Sequence, residues 1–340
     1  MNEQLIIYKA KLSELSEIKS FINDNWKEGH IMSQCDELID WQHKNNSENC
    51  YNFWIAKFDN TIVGLIGFIE TNHFDNDLEA GDFWLAIWKV TDMAPKGTGL
   101  LLLNKVIRDD QFNSCGVVGI SKVAKEIYSI MKFKTGVLSH YYVLNNSISD
   151  HFIAVIPDMT HNKSNADAED AVLKEVYNYE FSDIIDNKFP KKSVKYFLNR
   201  YANHPIYKYK FLGAYRNSKL LCVFVVRKQF VKDDSCLRIV DLFGDIKSVG
   251  NLTREFQQLM DKENSEYIDL LNGGVDNGIF TAMGFSILDH DGEIIIPNYF
   301  EPYEQRNVRI EFAVKTSDDK DYIIYKGDAD QDRPNQIFNI

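Results

Sequence analysis

The sequence predicts an α/β protein made of two tandem copies of one unit, over residues 1–150 and 151–340. Three observations predict it: the length, the alternation of short apolar runs with helical patterns, and the return of one order of elements in the second half. At 340 residues, 44% of them hydrophobic, the chain has apolar material for two ordinary cores, and length favours two domains over one.

In the first half, a short apolar run at 4–9 precedes a helical pattern through Leu12, Leu15, Ile18 and Phe21, and a second helix is expected over 35–43. Residues 53–58 and 62–69 read as two strands of a hairpin turning at Asp59-Asn60-Thr61. A strand at 83–90 follows, then Met93-Ala94-Pro95-Lys96-Gly97-Thr98-Gly99, the apolar helix that starts there, and a strand at 115–120. A helix through 122–131 and a strand near 137–144 complete the unit. After a polar linker at 159–168, helices are expected over 169–176 and 192–201. A hairpin then turns at Arg216-Asn217-Ser218, where Asp59-Asn60-Thr61 stood in the first half. Strands at 237–243 and 266–271 flank a helix at 252–261. Ile279-Phe280-Thr281-Ala282-Met283-Gly284-Phe285 then echoes Ile127-Tyr128-Ser129-Ile130-Met131-Lys132-Phe133, so an internal duplication is expected.

Composition narrows the function classes. A formal net charge of -12 opposes a phosphate backbone, and no Lys/Arg stripe offsets it, so nucleic acid is excluded as a partner. Aromatic residues make up 13% of the chain, which suits either well-filled cores or a cleft that stacks on a ring-shaped ligand. Cys35, Cys50, Cys115, Cys222 and Cys236 are scattered and never form C-x-x-C, which argues against a disulfide framework and against a zinc site. The N-terminal residues lack the pattern of a signal peptide and no run is long enough for a membrane span, so a cytoplasmic location is expected. A homodimer is allowed for.

The first chemical motif is Lys96-Gly97-Thr98-Gly99 between an apolar strand and an apolar helix. Two glycines there let backbone N–H groups approach a pyrophosphate, and the helix dipole favours its charge. Alone, the same string also describes a tight turn before a helix. With the strand before it, the helix and strand after it, and the late helix ending in Tyr128-Ser129-Ile130-Met131-Lys132-Phe133, the segment resembles the GCN5-related N-acetyltransferase (GNAT) family. The resemblance covers residues 1–145 by motif and 170–340 by topology. It implies two tandem GNAT-like units, each a mixed, mostly antiparallel central sheet flanked by helices, with acetyl-CoA or another acyl-CoA as co-substrate and no metal. It implies that Lys96, Gly97, Thr98 and Gly99 face the pyrophosphate of coenzyme A, that Trp88, Lys89 and Val90 pair with the pantetheine arm, and that Tyr128 presents a phenol to the departing thiolate. A tyrosine on an amphipathic helix is also an ordinary core residue. Ala94 and Pro95 in the loop, and Lys132 in the late motif, depart from the family pattern.

The second copy departs further. Phe243-Gly244-Asp245-Ile246-Lys247-Ser248-Val249-Gly250 holds no compact G-x-G, and Phe280 stands where Tyr128 stood and has no proton to give. The second copy is therefore expected to shape the acceptor site or brace the first. Candidates for the general base are His30, in a Gly-His turn, and Glu70, with His73 and Asp82 near it.

The C-terminal string Gly327-Asp328-Ala329-Asp330-Gln331-Asp332-Arg333-Pro334-Asn335 has D-x-D-x-D spacing, but Arg333 replaces the glycine of a calcium loop and no closing glutamate follows. It resembles a signature of proteins of bacterial surface-polysaccharide biosynthesis, including sugar-modifying enzymes. That resemblance implies that Asp328, Asp330, Asp332, Arg333 and Asn335 bind the substrate; a solvated acidic tail is the other reading. The resulting expectation is N-acyl transfer from acyl-CoA to a nucleotide-linked amino sugar for O-antigen or capsule. The alternatives are a catalytically silent GNAT-like sugar-binding or interaction protein and an acyltransferase with a peptide or aminoacyl acceptor.

Overall fold

The computed structural model describes residues 4–108, 112–157, 171–177, 189–318 and 321–335. The expected linker at 159–168 lies outside the described residues. In the first half the elements are β1 (Leu5–Lys11), α1 (Leu15–Asn25), α2 (Ile31–Gln34), α3 (Asp36–His43), β2 (Lys44–Asn45), β3 (Cys50–Phe58), β4 (Thr61–Glu70), α4 (Thr71–Phe74), β5 (Asp82–Val90), α5 (Thr98–Ile107), β6 (Ser114–Val118), α6 (Lys122–Ile130), β7 (Lys134–Val137) and β8 (Ser139–Leu144). The second half holds β9 (Val172–Glu175), α7 (Val194–Phe197), β10 (Lys210–Arg216), β11 (Lys219–Val231), β12 (Asp234–Gly244), α8 (Thr253–Glu263), β13 (Tyr267–Gly273), α9 (Asn277–Ala282), β14 (Ser286–Ile287), β15 (Glu311–Thr316) and β16 (Ile324–Tyr325).

These strands form two sheets of eight, ordered β1-β3-β4-β5-β6-β15-β7 with β2 beside β3, and β14-β8-β13-β12-β11-β10-β9 with β16 beside β13. Each sheet is antiparallel except for one pair, β5 with β6 and β12 with β13. A helix joins the two strands of each parallel pair, α5 in one case and α8 in the other, as a parallel connection requires. The hairpin turns are tight because Asp59 and Asn60, and again Asn217 and Ser218, take positive φ, the backbone of a two-residue turn that matches strand twist. The fold is the mixed, mostly antiparallel, helix-flanked pair of units expected from the sequence.

Two expectations are corrected. The strand near 137–144 is two strands, β7 and β8, which leave for different sheets after Val137: β7 pairs with β15, and β8 pairs with β13 and β14. The helix over 169–176 is instead the edge strand β9, paired with β10 from Val172↔Tyr215 to Glu175↔Leu212. The string Val172-Leu173-Lys174-Glu175 fits either period, and the free edge of β10 decides between them.

The crossing is reciprocal. β8 from before residue 150 lies between β13 and β14, and β15 from after it lies between β6 and β7. Helices α1 to α3 pack Ile18, Phe21, Met32 and Leu38 on Phe53, Ile55 and Ile87 at one face of the first sheet, and α5 and α6 pack Leu102, Leu103 and Tyr128 on Phe83, Leu85 and Val117 at the other. A third cluster joins the units, with Trp84, Leu138 and Val314 against Tyr201, Val223, Val240 and Phe243.

Because each sheet contains a strand of the other unit, the two unfold as one. All five tryptophans lie between Trp26 and Trp88, so their fluorescence reports the first unit and, through Trp41 and Trp84, its boundary with the second. Phe256→Ala in the buried core of the second unit removes ~3–5 kcal/mol, and the urea midpoint read by tryptophan fluorescence falls with it. A tryptophan midpoint unmoved by Phe256→Ala refutes the coupling.

Candidate active site

β5 and β6 are paired only from Asp82↔Ser114 to Leu85↔Val117. Beyond Leu85, β5 continues along β4, but Ala86 and Ile87 together face the single residue Gly67 before pairing resumes at Trp88↔Ile66. This β-bulge turns the strand away from β6. The edge of β5 from Ala86 to Val90 that faces β6 therefore has no strand beside it among the described residues.

The glycine loop closes the far end of that opening. Thr98 donates its N–H to Pro95 O at 3.2 Å and its hydroxyl to the same carbonyl at 2.6 Å. Gly97, the third residue of this turn, has φ +88°, which suits glycine at that position. A Cβ on Gly97 would meet nothing within 4 Å, whereas one on Gly99 would lie 3.4 Å from Val90 Cγ2 and 3.5 Å from the Trp88 ring. The first turn of α5 thus lies on the end of β5, where a Cβ at 99 would make ordinary contact, with its unpaired N–H groups at the opening. Lys96 is exposed beside it. The Tyr128 ring stands 5.7 Å from the Trp88 ring, and burial pushes its phenol well above the ordinary value, so it holds its proton. Trp88, Val90, Gly97, Gly99 and Tyr128 are thus gathered around one opening, with Lys89 between two of them on β5.

The matching opening in the second unit is filled by the chain itself. β12 and β13 pair from Leu237↔Ile268 to Ile239↔Leu270. Past that point β16 pairs with β13 at Asn272 and Gly273, and Gly327 donates its N–H to Val240 O at 2.8 Å. Gly327 has to be glycine, since a Cβ would lie 2.5 Å from the Tyr201 hydroxyl and 2.8 Å from Val240 O. At the loop before α8, the Asp245 carboxylate accepts from the N–H groups of Lys247 and Ser248 at 3.2 and 3.3 Å. It uses donors that a pyrophosphate would need. Phe280 packs on Tyr141 at 4.7 Å.

The C-terminal string is not a solvated tail. Asp328 is fully buried and ion-paired with Lys192 at 2.7 Å; burial pushes its carboxyl up to about 6 against the opposing pull of Lys192. Asp330 pairs with Arg333 at 3.0 Å, and Asp332 with Arg227 at 2.7 Å and with the Tyr209 hydroxyl at 2.7 Å. Asn335 gives its N–H to Glu301 at 2.7 Å. Arg333 Nη2 meets His30 Nε2 at 2.9 Å, joining residues 303 positions apart.

That contact bears on the base candidates. Burial, then Arg333, lowers His30 to about 3, and Arg333, a donor only, occupies its Nε2. Met32 N lies 3.2 Å from His30 Nδ1 at the start of α2, but in the neutral ring Nδ1 carries the proton when Nε2 accepts from Arg333. His73 bonds the Trp41 carbonyl at 2.7 Å. Glu70 accepts from Asn52 at 3.4 Å and lies opposite Phe83, towards the start of β5. Asp82 accepts from Ser114 and Asn113 at 2.5 and 2.8 Å. None of these contacts joins a base candidate to Tyr128 or the glycine loop.

Four residues that matter here were not singled out from the sequence: Arg227, Arg238, Asn298 and Lys326. They line a polar cavity of about 190 Å³ with Asp332, Arg333 and Asn335. Arg227 and Arg238 carried a readable signal, Arg227 following directly on the apolar run 220–226 of β11 and Arg238 lying between Leu237 and Ile239 of β12, where a buried charge is tolerated only when paired. Arg238 is held by Asp269 through two contacts of 2.6 and 3.0 Å. Among the described residues no cluster of His, Cys, Asp and Glu that could hold a metal is found, and no helix is long and apolar enough to cross a membrane.

No family model matches the chain, and no curated protein matches it in sequence. Solved structures do. A GCN5-related N-acetyltransferase from Anabaena variabilis superposes with TM-score 0.54 at 10% identity, over 91% of this chain and 72% of that one. A Pyrococcus horikoshii protein assigned as an acetyltransferase matches with TM-score 0.50 at 11% identity, over 96% and 94% of the two chains. A GCN5-related glucosamine N-acetyltransferase region of a fungal multi-domain β-N-acetylglucosaminidase matches with TM-score 0.50 at 10% identity, over 93% of this chain and 38% of that one. At these identities the likeness establishes the fold, which is GNAT-like and in two tandem units.

Burial raises the Asp332 carboxyl, and Arg227 outweighs it, so the group is held at about 2 instead of 3.8. A carboxyl held below its unfolded value contributes stability above about pH 4, here ~2 kcal/mol, which is lost as pH falls through the folded value. In urea unfolding, Asp332→Asn is the less stable form at pH 7, where Arg227 is left unpaired. The gap narrows by ~2 kcal/mol towards pH 2; a gap independent of pH removes the ion pair from the account.

Proposed function

We propose that this chain is an acyl-CoA-dependent N-acyltransferase, in which residues 1–150 hold acetyl-CoA or another short acyl-CoA and residues 151–340 contribute to the acceptor site. The acceptor is the amino group of a nucleotide-linked amino sugar of surface-polysaccharide assembly. The observation that carries the reading is the asymmetry of the two openings: the one beside the glycine loop is free of strand, and its counterpart is filled by Ile324–Gly327.

The chemistry fits the first opening. The pantetheine arm adds to the edge of β5 through Trp88, Lys89 and Val90, and the pyrophosphate lies at the start of α5 over Gly97 and Gly99. A free amine attacks the thioester carbonyl. A backbone N–H at the bulge of β5 donates to the oxyanion. As the tetrahedral intermediate collapses, the C–S bond breaks, Tyr128, kept protonated by burial, donates to the thiolate, and the proton shed by the amine nitrogen passes through water to the resulting phenolate. The fold-level likeness to a glucosamine N-acetyltransferase region and the amide, carboxylate and arginine chemistry of residues 328–335 support a sugar acceptor.

Calorimetric titration with acetyl-CoA tests the donor site. The wild type binds at micromolar concentration and Gly97→Val, which forces a branched side chain to positive φ where the pyrophosphate lies, binds at least ~100-fold more weakly. Tyr128→Phe binds as the wild type does but turns over ~100-fold more slowly. No binding by the wild type sinks the reading.

A further inference from the structure

The cavity of about 190 Å³ has more buried hydrogen-bond donors than acceptors to receive them. Lys326 is 5% exposed; burial, then Arg238, lowers its amino group to about 7, a cost that a bound anion would offset by favouring the ammonium with its three N–H groups. Among the described residues that group meets a single acceptor, Asn298 Oδ1, at 2.7 Å. Asn298 is 2% exposed and its side-chain nitrogen has no partner among the described residues; nor has the buried Nε of Arg333. All three residues line the same cavity. Unpaired donors in one buried place cost free energy, and the group that relieves them brings acceptor atoms and negative charge.

The carboxylates nearby do not fill that role. Asp332 is taken by Arg227 and Tyr209, Asp269 by Arg238 and His140, and Asp330 by Arg333. Glu301 accepts from Asn335 N–H on one oxygen and from the Tyr207 hydroxyl at 3.2 Å on the other. Lys326 alone among the four cations of the lining has no carboxylate of the described residues within ion-pair distance.

Position gives the cavity its meaning. Gln331 lines it and donates from Nε2 to Val118 O at 3.2 Å. Val118 follows directly on Val117, the last residue of β6 paired with β5. The cavity thus meets the first unit where β5 and β6 part. On its other side it runs into a groove of about 650 Å³, sharing Tyr207, Arg227 and Phe300 with it. Tyr207 there stacks under Arg227 at 4.0 Å, and Tyr209 and Phe230 add further aromatic surface.

We infer that this cavity holds an oxyanion of the acyl acceptor, a phosphoryl or carboxylate group, on Lys326, Arg333 and Asn298, with the acceptor's ring portion in the aromatic groove. The inference rests on the acyltransferase reading for calling the ligand an acceptor. The anion-binding property stands on the cavity alone. Lys326, Arg333 and Asn298 bind and orient; they touch no reacting atom.

Calorimetric titration of the full chain with UDP, with glucuronate and with glucose tests it, in the wild type and in Lys326→Met, with acetyl-CoA titrated alongside. Methionine fills the volume of the lysine stem without a charge to bury, so the variant folds, with a melting temperature equal to or above that of the wild type. The expected result is binding of UDP, which assigns the site to a phosphoryl group, or of glucuronate, which assigns it to a carboxylate. Affinity falls at least tenfold in Lys326→Met, glucose does not bind, and acetyl-CoA affinity is the same in both proteins. Binding of neither anion, or equal affinity in the variant, overturns the inference even where acetyl-CoA binds. Lys326-dependent anion binding without acetyl-CoA binding leaves the cavity in place and removes the acyltransferase reading.

Discussion

β8 and β15 each complete the sheet of the other unit, and this exchange is the constraint on which the remaining architecture depends. A strand inserted between two others cannot leave without breaking two ladders of hydrogen bonds, so the units are fixed against each other. The segment after β15 is then delivered to the boundary between the sheets. There residues 324–335 run through the opening of the second unit and past the end of β6. A buried carboxylate in that place needs a partner, and each aspartate has one: Asp328 meets Lys192, Asp332 meets Arg227 and Tyr209, and Asp330 meets Arg333 of the same string.

The same geometry separates the roles of the two copies. A strand that parts from its neighbour after a short parallel pairing leaves an edge of N–H and C=O groups, which a ligand or another segment of chain can satisfy. In the second unit β16 and Gly327 do so, and Asp245 takes the N–H groups ahead of α8. In the first unit the edge of β5 from Ala86 to Val90 has no strand beside it among the described residues, and the loop ahead of α5 turns on Gly97 with open space where a side chain would stand. The duplicated unit is thus specialised by what fills the opening, while the strands that frame it are kept.

Local features were legible in the sequence because local rules determine them. The two hairpins follow from their turn residues, α3 and α8 from apolar spacing, and α5 from the glycine loop before an apolar run. The repeat was readable as an order of elements. What could not be read depends on distant partners. Nothing in the residues around Leu138 says that β7 and β8 go to different sheets, and β9 is a strand because β10 offers an edge. The C-terminal string was read as a binding motif or an acidic tail. Much of it is an ion-pair network, whose partners Lys192, Arg227 and His30 lie more than a hundred residues upstream. The pairing of Arg333 with His30 changes the meaning of both, since a histidine offered as a proton acceptor is buried against a permanent cation. The residues proposed for the acyl donor, Trp88, Gly97, Gly99 and Tyr128, fall within 41 positions of sequence, and that is why their grouping could be anticipated.

The central claim is that one opening takes the acyl donor and its counterpart cannot. Amide hydrogen exchange with and without acetyl-CoA tests it directly. The account predicts slower exchange at residues 86–90 and 97–101 with no change at 244–256. Protection at 244–256, or none at 86–90, would contradict it.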